Sequence, residues 1–194
     1  RIRGFVVPAL VRNSYTSAAR LALAGFSSLY RALSPEQQAG WLNFSFSKSD
    51  RFGVPFAVKG KQAYVALNTN LTNIGGTLID DAPCSVGVSL LDLTPDLGTP
   101  ELTLRYVPVA LGQALVFATA SLSAGVFRPS QSAYRLIGTF DPTEASPVNL
   151  LSEYNAKFGA MIEGSKIFVQ VVNINTVTGE SSPITEVSAI VLNT

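Results

Sequence analysis

Two pairs of aspartates come nearest, by residue type and spacing, to acid–base or metal chemistry in this sequence. Asp80 and Asp81 are adjacent, and Asp92 and Asp96 lie four residues apart. Neither pair has the Asp, Asn and Gly spacing of a calcium loop. Two carboxylates suffice for glycoside hydrolysis, but no feature of the sequence places either pair in an aromatic-lined cleft. We interpret both pairs as solvated turn residues and expect neither a metal nor another cofactor.

The chain contains no histidine and a single cysteine, Cys84. Histidine is the commonest general base near neutral pH and a frequent zinc ligand, so its absence excludes Ser-His-Asp and Cys-His catalysis. One cysteine can form neither an intrachain disulfide nor a cysteine metal cluster, which fits assembly in a reducing cytosol. Glycine-rich phosphate motifs are absent as well. The sequence therefore predicts a protein that is not an enzyme.

Charge is distributed unevenly along the chain. Residues 1–61 hold nine Lys or Arg against two acidic residues, a net charge of +7, and residues 62–194 hold five against eleven, a net charge of −6. The formal net charge of +1 therefore conceals two opposed ends. This distribution favours copies that stack head to tail, or a basic end that faces a polyanion.

Six residues are candidates for a subunit interface or a polyanion-binding surface: Arg1, Arg3, Arg12, Arg20, Arg31 and Trp41. The arginines could neutralise nucleic-acid phosphates on the inner side of a capsid, with a steep salt dependence. They could equally pair with acidic residues of a neighbouring subunit, or be solvated. The single tryptophan could anchor an interface, although a lone Trp beside a leucine is more often a core residue.

The composition is poor in charge and rich in apolar residues. Charged residues make up 14% of the chain, against roughly 25% in ordinary soluble domains. Such a chain is expected to bury surface against neighbours; the alternative is a monomer whose surface is rich in Ser, Thr, Asn and Gln.

Residues 106–127 carry no charge, but Pro, Gly and polar residues interrupt them, so we expect core strands rather than a membrane span. The apolar run in residues 1–11 is too short for a signal peptide.

The first part of the chain has helical periodicity. Apolar residues in 15–33 recur on one face and predict a helix of about five turns. Small residues four apart, at Ala24, Ser28 and Ala32, would let another backbone approach closely. Ser34, followed by Pro35 and Gln37, is typical of a capping box and predicts a second, short helix.

Three further features complete the N-terminal half. Aromatic residues alternate with polar ones over residues 44–58, which predicts a short hairpin or extended arm. A third helix follows Gly60, and Gly75 and Gly76 are placed to end it. Residues 77–83 have the composition of a linker.

After residue 83 the period changes to that of strands. Six short segments are rich in β-branched or aromatic residues and bounded by turn residues: 85–93, 101–107, 114–120, 133–140, 166–174 and 186–192. Six or seven strands in about 110 residues are typical of an antiparallel sandwich. We predict an α+β chain: a basic helical assembly region of two to three helices with a short β arm in residues 1–82, and an antiparallel immunoglobulin-like β-sandwich in residues 83–194.

Two segments resemble known families. Residues 166–192, KIFVQVVNINTVTGESSPITEVSAIVL, resemble the final hairpin of fibronectin type III domains, although Ile167 and Phe168 lie where that family carries its penultimate-strand Tyr, and its early Trp is missing. The resemblance implies an immunoglobulin-like sandwich.

The N-terminal half resembles phage-associated proteins of Bacteroidota. The likeness lies in residues 13–41, with an LSPEQ joint before Trp41, and in residues 60–71, GKQAYVALNTNL. That likeness implies a virion structural component without catalytic residues.

These observations predict a non-enzymatic, self-assembling structural protein. We expect a bacteriophage virion component (coat, decoration or tail part), assembled in the bacterial cytoplasm, that contacts its own copies and other virion proteins. Its basic N-terminal region could also meet nucleic acid. The alternative is an extracellular or cell-surface adhesive module of fibronectin III-like fold that binds a glycan or protein through residues 127–129 or 176–182.

Overall fold

The described residues form four α-helices and nine antiparallel strands. The structure, a computed structural model, describes residues 14–49, 54–84, 93–98 and 101–192. Its elements there are α1 (Ser14–Ala32), α2 (Pro35–Asn43), β1 (Ser45–Ser49), β2 (Pro55–Lys59), α3 (Gly60–Asn73), β3 (Leu93–Gly98), β4 (Glu101–Tyr106), β5 (Gln113–Ala118), β6 (Arg135–Phe140), β7 (Val148–Asn149), α4 (Leu151–Phe158), β8 (Lys166–Ile174) and β9 (Thr185–Ile190). The predicted α+β class is confirmed.

The chain divides into two units. The first comprises Arg1–Val65 and Asp80–Ala82, and the second comprises Ala66–Ile79 and Pro83–Thr194. The boundary therefore falls inside α3, whereas the sequence analysis placed the whole helix in an N-terminal region of residues 1–82. The second half of α3 belongs with the strands because the loop after β8 packs on it within the second unit.

The contact between α3 and that loop is close. Leu67 and Leu71 are fully buried, and the Asn70 side-chain amide donates a hydrogen bond to the Gly179 carbonyl at 2.8 Å. Gly179 has φ +73°, and a Cβ there would lie 2.5 Å from the Leu67 carbonyl oxygen. Only glycine satisfies both the backbone angle and this approach.

In the first unit, α2 begins as the sequence predicts. The Ser34 hydroxyl accepts a hydrogen bond from the Gln37 amide at 3.2 Å. The Gln37 side chain accepts one from the Ser34 amide at 3.0 Å, and Pro35 occupies the first turn. The predicted capping box is confirmed. It satisfies amide donors that the first turn of a helix leaves without partners.

Removing this cap is expected to destabilise the first unit by about 1 kcal/mol. Ser34→Ala removes the oxygen that accepts from the Gln37 amide, whereas Ser34→Asp keeps an acceptor and should stay close to the wild type. Urea denaturation followed by circular dichroism measures both. Equal losses in the two variants would contradict a capping role for this side chain.

The predicted arm after α2 is a hairpin. β1 pairs antiparallel with β2, from Ser45 opposite Lys59 to Ser49 opposite Pro55. The predicted end of α3 is also confirmed: Gly75 has φ +70°, and the Gly76 amide donates to the Leu71 carbonyl at 2.8 Å. A glycine in this left-handed conformation is the common way to close a helix.

The second unit contains two sheets that share one core. Their strand orders are β3-β4-β7 and β6-β5-β8-β9, with antiparallel neighbours throughout. Alternate side chains of both sheets, with two residues from the start of α4, form one buried cluster: Leu102, Leu104, Tyr106, Ala114, Val116, Ala118, Phe140, Leu150, Tyr154, Ile167, Val169, Val171 and Val191. Side chains alternate across a strand, so each sheet turns one apolar face inward.

Three elements of this unit were not predicted. β3 has Pro95, Asp96 and Gly98, which the sequence analysis treats as turn residues; Pro95 is tolerated because β3 is an edge strand and its missing N–H interrupts no inner ladder. β7 has two residues, too few for a periodic signal. The helix α4 was also missed, although its apolar residues Leu151, Tyr154 and Phe158 follow helical spacing. The predicted strand 85–93 lies, except for Leu93, outside the described residues.

Core strands were predicted in the uncharged stretch 106–127; the structure has one strand that lies wholly within it, β5, and Tyr106 is the last residue of β4. Within the described parts of the chain, no helix has both the length and the apolar character needed to cross a membrane.

Candidate subunit interface on the first helix

One face of α1 packs within the first unit. Phe26 is buried, and four residues later the Tyr30 ring lies 5.5 Å from the Tyr64 ring at an interplanar angle of 59°. Residues four apart lie on the same face of a helix, so these two aromatic side chains fix the orientation of α1.

Other parts of α1 remain apolar and exposed. Leu21, Leu23 and Leu29 are 74%, 49% and 45% exposed. The single apolar stripe predicted over residues 15–33 includes Ala22 and Leu29, yet both side chains are exposed while Phe26 of the same stripe is buried. The described residues thus cover the stripe only in part.

A smooth face surrounds the most exposed leucine. Leu21, Gly25, Ser28 and Ala32 follow one another at spacings of four, three and four residues, and all are exposed. A Cβ added at Gly25 would meet no atom of the described residues within 4 Å, so packing among them does not require this glycine. Glycine within a helix costs about 1 kcal/mol relative to alanine. A face of this kind lets a second helix approach closely.

Two of the arginines predicted to be interface candidates lie beside this face. Arg20 and Arg31 are exposed, and their separation of eleven positions corresponds to about three turns, which places them on the same side of α1. The Arg31 Nε donates to the Ser27 carbonyl at 3.1 Å, where a cation favourably meets the helix C-terminus. Arg1, Arg3 and Arg12 lie outside the described residues.

Trp41 belongs to the core of the first unit. Its side chain is fully buried, its indole Nε1 donates to the Asp80 carbonyl at 2.7 Å, and its ring meets those of Tyr64 and Phe44 edge-on at 5.3 and 5.7 Å. Burial, with a smaller contribution from Asp80, raises the pKa of Tyr64. The structure thus places Trp41 in the core, one of the two alternatives, and leaves none of its surface available to a neighbouring subunit.

The carboxylates singled out in the sequence do not form a reactive cluster in the described residues. Asp80 and Asp81 lie in the segment that contacts α2, where the Asp80 carbonyl accepts the hydrogen bond from the Trp41 indole. Asp96 lies on the edge strand β3, and Asp92 lies outside the described residues. Among the side chains that the structure describes, no three His, Cys, Asp or Glu residues are grouped so that they could hold a metal ion.

No protein family, curated protein or solved structure matches this chain. The exposed apolar surface of α1 and the charge distribution are therefore the features from which its function is inferred.

Proposed function

We propose that the chain is a non-enzymatic, self-assembling structural protein, and more specifically a bacteriophage virion component. In this proposal α1 packs against α1 of a neighbouring copy. The observation that carries it is the exposure of Leu21 and Leu29 beside the small residues that share the Leu21 face of this 19-residue helix; Leu23 lies on the opposite side of α1 from Leu21. Exposed apolar surface on one face of a helix marks an interaction site.

The magnitudes indicate that α1 is not the whole interface. Complete burial of a leucine contributes roughly 1.5–3 kcal/mol, so the exposed fractions of Leu21 and Leu29 contribute roughly 2–4 kcal/mol per copy. A symmetric pair of helices then gains roughly 4–7 kcal/mol from these side chains, against an association cost of about 4–15 kcal/mol. Stable assembly therefore needs a second contact in addition to the helix pair.

Opposed charge supplies a candidate for that second contact. The basic residues concentrated in 1–61 would attract the acidic residues of a neighbouring copy's second half. Complementary charges raise association rates and favour one orientation of the partners over others. The attraction between exposed charges weakens as salt screens them.

We further propose that the second unit is an immunoglobulin-like sandwich. The first, second and fifth strands of this unit share one sheet, and the fourth, third, sixth and seventh form the other, an order consistent with variable-type immunoglobulin domains. The fibronectin-like hairpin of β8 and β9 supports the same proposal, whereas α4 is an addition to that pattern. Such a unit would form the outer body of the subunit.

Two sequence features support a virion component: the resemblance of residues 13–41 and 60–71 to phage-associated proteins, and the absence of histidine. The proposed partners are copies of this chain and other virion proteins. Nucleic acid is a further proposed partner of the N-terminal arginines.

Light scattering coupled to size-exclusion chromatography tests self-assembly directly. Between about 1 and 100 µM, the range in which weak contacts of about 6–8 kcal/mol become populated, the mean mass should rise with concentration. It should fall as added salt screens the charges. Electron microscopy of the same samples would show the form of the assembly. A monomer at the highest concentration and low salt would overturn the proposal.

A further inference from the structure

A groove lies on the second unit beside the loop that joins β5 to β6. It has a volume of about 390 Å³ and is lined by Phe127, Arg128, Gln131, Gln170, Ile184 and Glu186. The connecting loop is tied to β8: the Leu122 amide donates to the Lys166 carbonyl at 3.0 Å, and the Lys166 amide donates back at 2.8 Å. These bonds hold one wall of the groove against the sheet.

The floor is a hydrogen-bonded carboxylate. Gln170 on β8 lies opposite Glu186 on β9. The Gln170 Nε2 and the Tyr134 hydroxyl both donate to Glu186 Oε2, each at 2.7 Å. Gln170 and Tyr134 are buried, so their positions are constrained by packing, and the carboxylate is held in a defined orientation. Both bonds end on Oε2, and Oε1 is the oxygen with which Glu186 would accept a hydrogen bond from a ligand.

The protonation state of Tyr134 is consistent with this arrangement. Burial raises the pKa of its phenol, and the hydrogen bond to Glu186 raises the pKa further. The phenol therefore keeps its proton at neutral pH and remains a donor to the carboxylate.

One wall of the groove presents a solvent-exposed aromatic ring. Phe127 is 94% exposed, and covering a phenylalanine side chain is worth roughly 1.5–3 kcal/mol. The adjacent Arg128 lies close enough to influence Tyr134 electrostatically. A ring, a guanidinium and an oriented carboxylate are thus presented together at one site.

We propose that this groove binds an uncharged saccharide. The C–H face of a sugar ring packs on an aromatic ring, while carboxylate, guanidinium and amide groups pair with its hydroxyls, which both donate and accept hydrogen bonds. The single positive charge of Arg128 and the single negative charge of Glu186 offset each other, so the site does not select a charged ligand. The volume of the groove lies within the range of small-molecule sites, about 300–1,000 Å³. A protein partner would instead require a contact surface of about 800 Å² on each side.

Of the two loops that the sequence analysis considers for adhesion, the structure favours the one with Phe127 and Arg128. In the loop of residues 176–182, Thr178, Gly179 and Glu180 are buried, and the Gly179 carbonyl is bound to Asn70. Gln170 and Glu186 were not predicted as site residues, because neighbouring strands bring them together over sixteen residues. Their placement on the outward face of two paired strands was the signal that could have indicated them.

The test is binding of the full chain to immobilised linear pentasaccharides of glucose, mannose, xylose and N-acetylglucosamine, followed by titration calorimetry with any sugar retained. We expect binding to at least one of these sugars. Phe127→Ala should weaken it by at least about tenfold, since about 1.4 kcal/mol of lost packing corresponds to that factor. Val177→Ala, an exposed apolar residue outside the groove, should leave the affinity unchanged.

Each other outcome overturns the proposal. Binding of none of these sugars by the wild-type chain would do so, as would equal affinity in Phe127→Ala and the wild type. Retention of a protein, in place of a sugar, through Phe127 would also exclude it. Circular dichroism shows whether Phe127→Ala is folded, and Glu186→Gln provides a second variant because it keeps the shape of the side chain and removes its charge.

Discussion

Leu21→Glu is expected to convert assemblies of this chain into monomers without unfolding them. Leu21 is the most exposed leucine of α1, and its partner in the proposed interface is the same helix of another copy. A symmetric contact loses the leucine twice and gains two carboxylates that desolvation and mutual repulsion both oppose. The dissociation constant should rise by at least about 100-fold, which corresponds to about 2.8 kcal/mol.

Light scattering across a dilution series measures this change, and circular dichroism verifies that the helix content is retained. Leu111→Glu is the matched control, since Leu111 is an exposed leucine in the loop between β4 and β5. Gly25→Trp provides an independent test of the same face: a Cβ at this position meets no atom of the described residues within 4 Å, and the indole would block a close helix pair. If Leu21→Glu and Leu111→Glu assembled equally well, α1 would not be the interface.

Local signals predicted the N-terminal elements well. The start of α2 depends on Ser34, Pro35 and Gln37, which are adjacent in sequence and act on the backbone beside them. The end of α3 depends in the same way on Gly75 and Gly76. Such caps can be identified from sequence because their physics involves no distant residue.

Burial was harder to predict because it depends on residues far away in sequence. The apolar stripe of α1 looks uniform, yet Phe26 is covered and Leu29 is not. The periodicity indicates which residues share a face, but not whether another element is long enough to cover that face. The exposed part of the helix, and with it the candidate interface, becomes visible only in the structure.

The same limit applied to the second unit. The strands β4, β5, β6, β8 and β9 were predicted because they are rich in β-branched or aromatic residues and bounded by turn residues, whereas β3 was missed because its Pro95 is acceptable only at a sheet edge. Glu186 gave no signal as a single residue. Its role in the groove arises from the pairing of β8 with β9 and from a tyrosine 52 residues away.

Trp41→Ala is expected to destabilise the first unit by about 3–5 kcal/mol. The substitution empties a fully buried site, removes the edge-on ring contacts with Tyr64 and Phe44, and leaves the Asp80 carbonyl without its indole donor. Hydrogen exchange measured by mass spectrometry should show loss of protection in α2 and the first turns of α3. Amides of β8, in the core of the second unit, should retain theirs if the two units unfold separately.

Two further variants separate the causes of this loss. Trp41→Phe keeps a ring but not the N–H, so its free energy of unfolding should fall less than that of Trp41→Ala. The loss that persists in Trp41→Phe reflects the missing hydrogen bond and the smaller ring. Leu42→Ala, the exposed neighbour on α2, should change the stability by less than about 0.5 kcal/mol. If Trp41→Ala were as mild as Leu42→Ala, the indole would not support the core, and its surface would again be a candidate for contact with a neighbouring subunit.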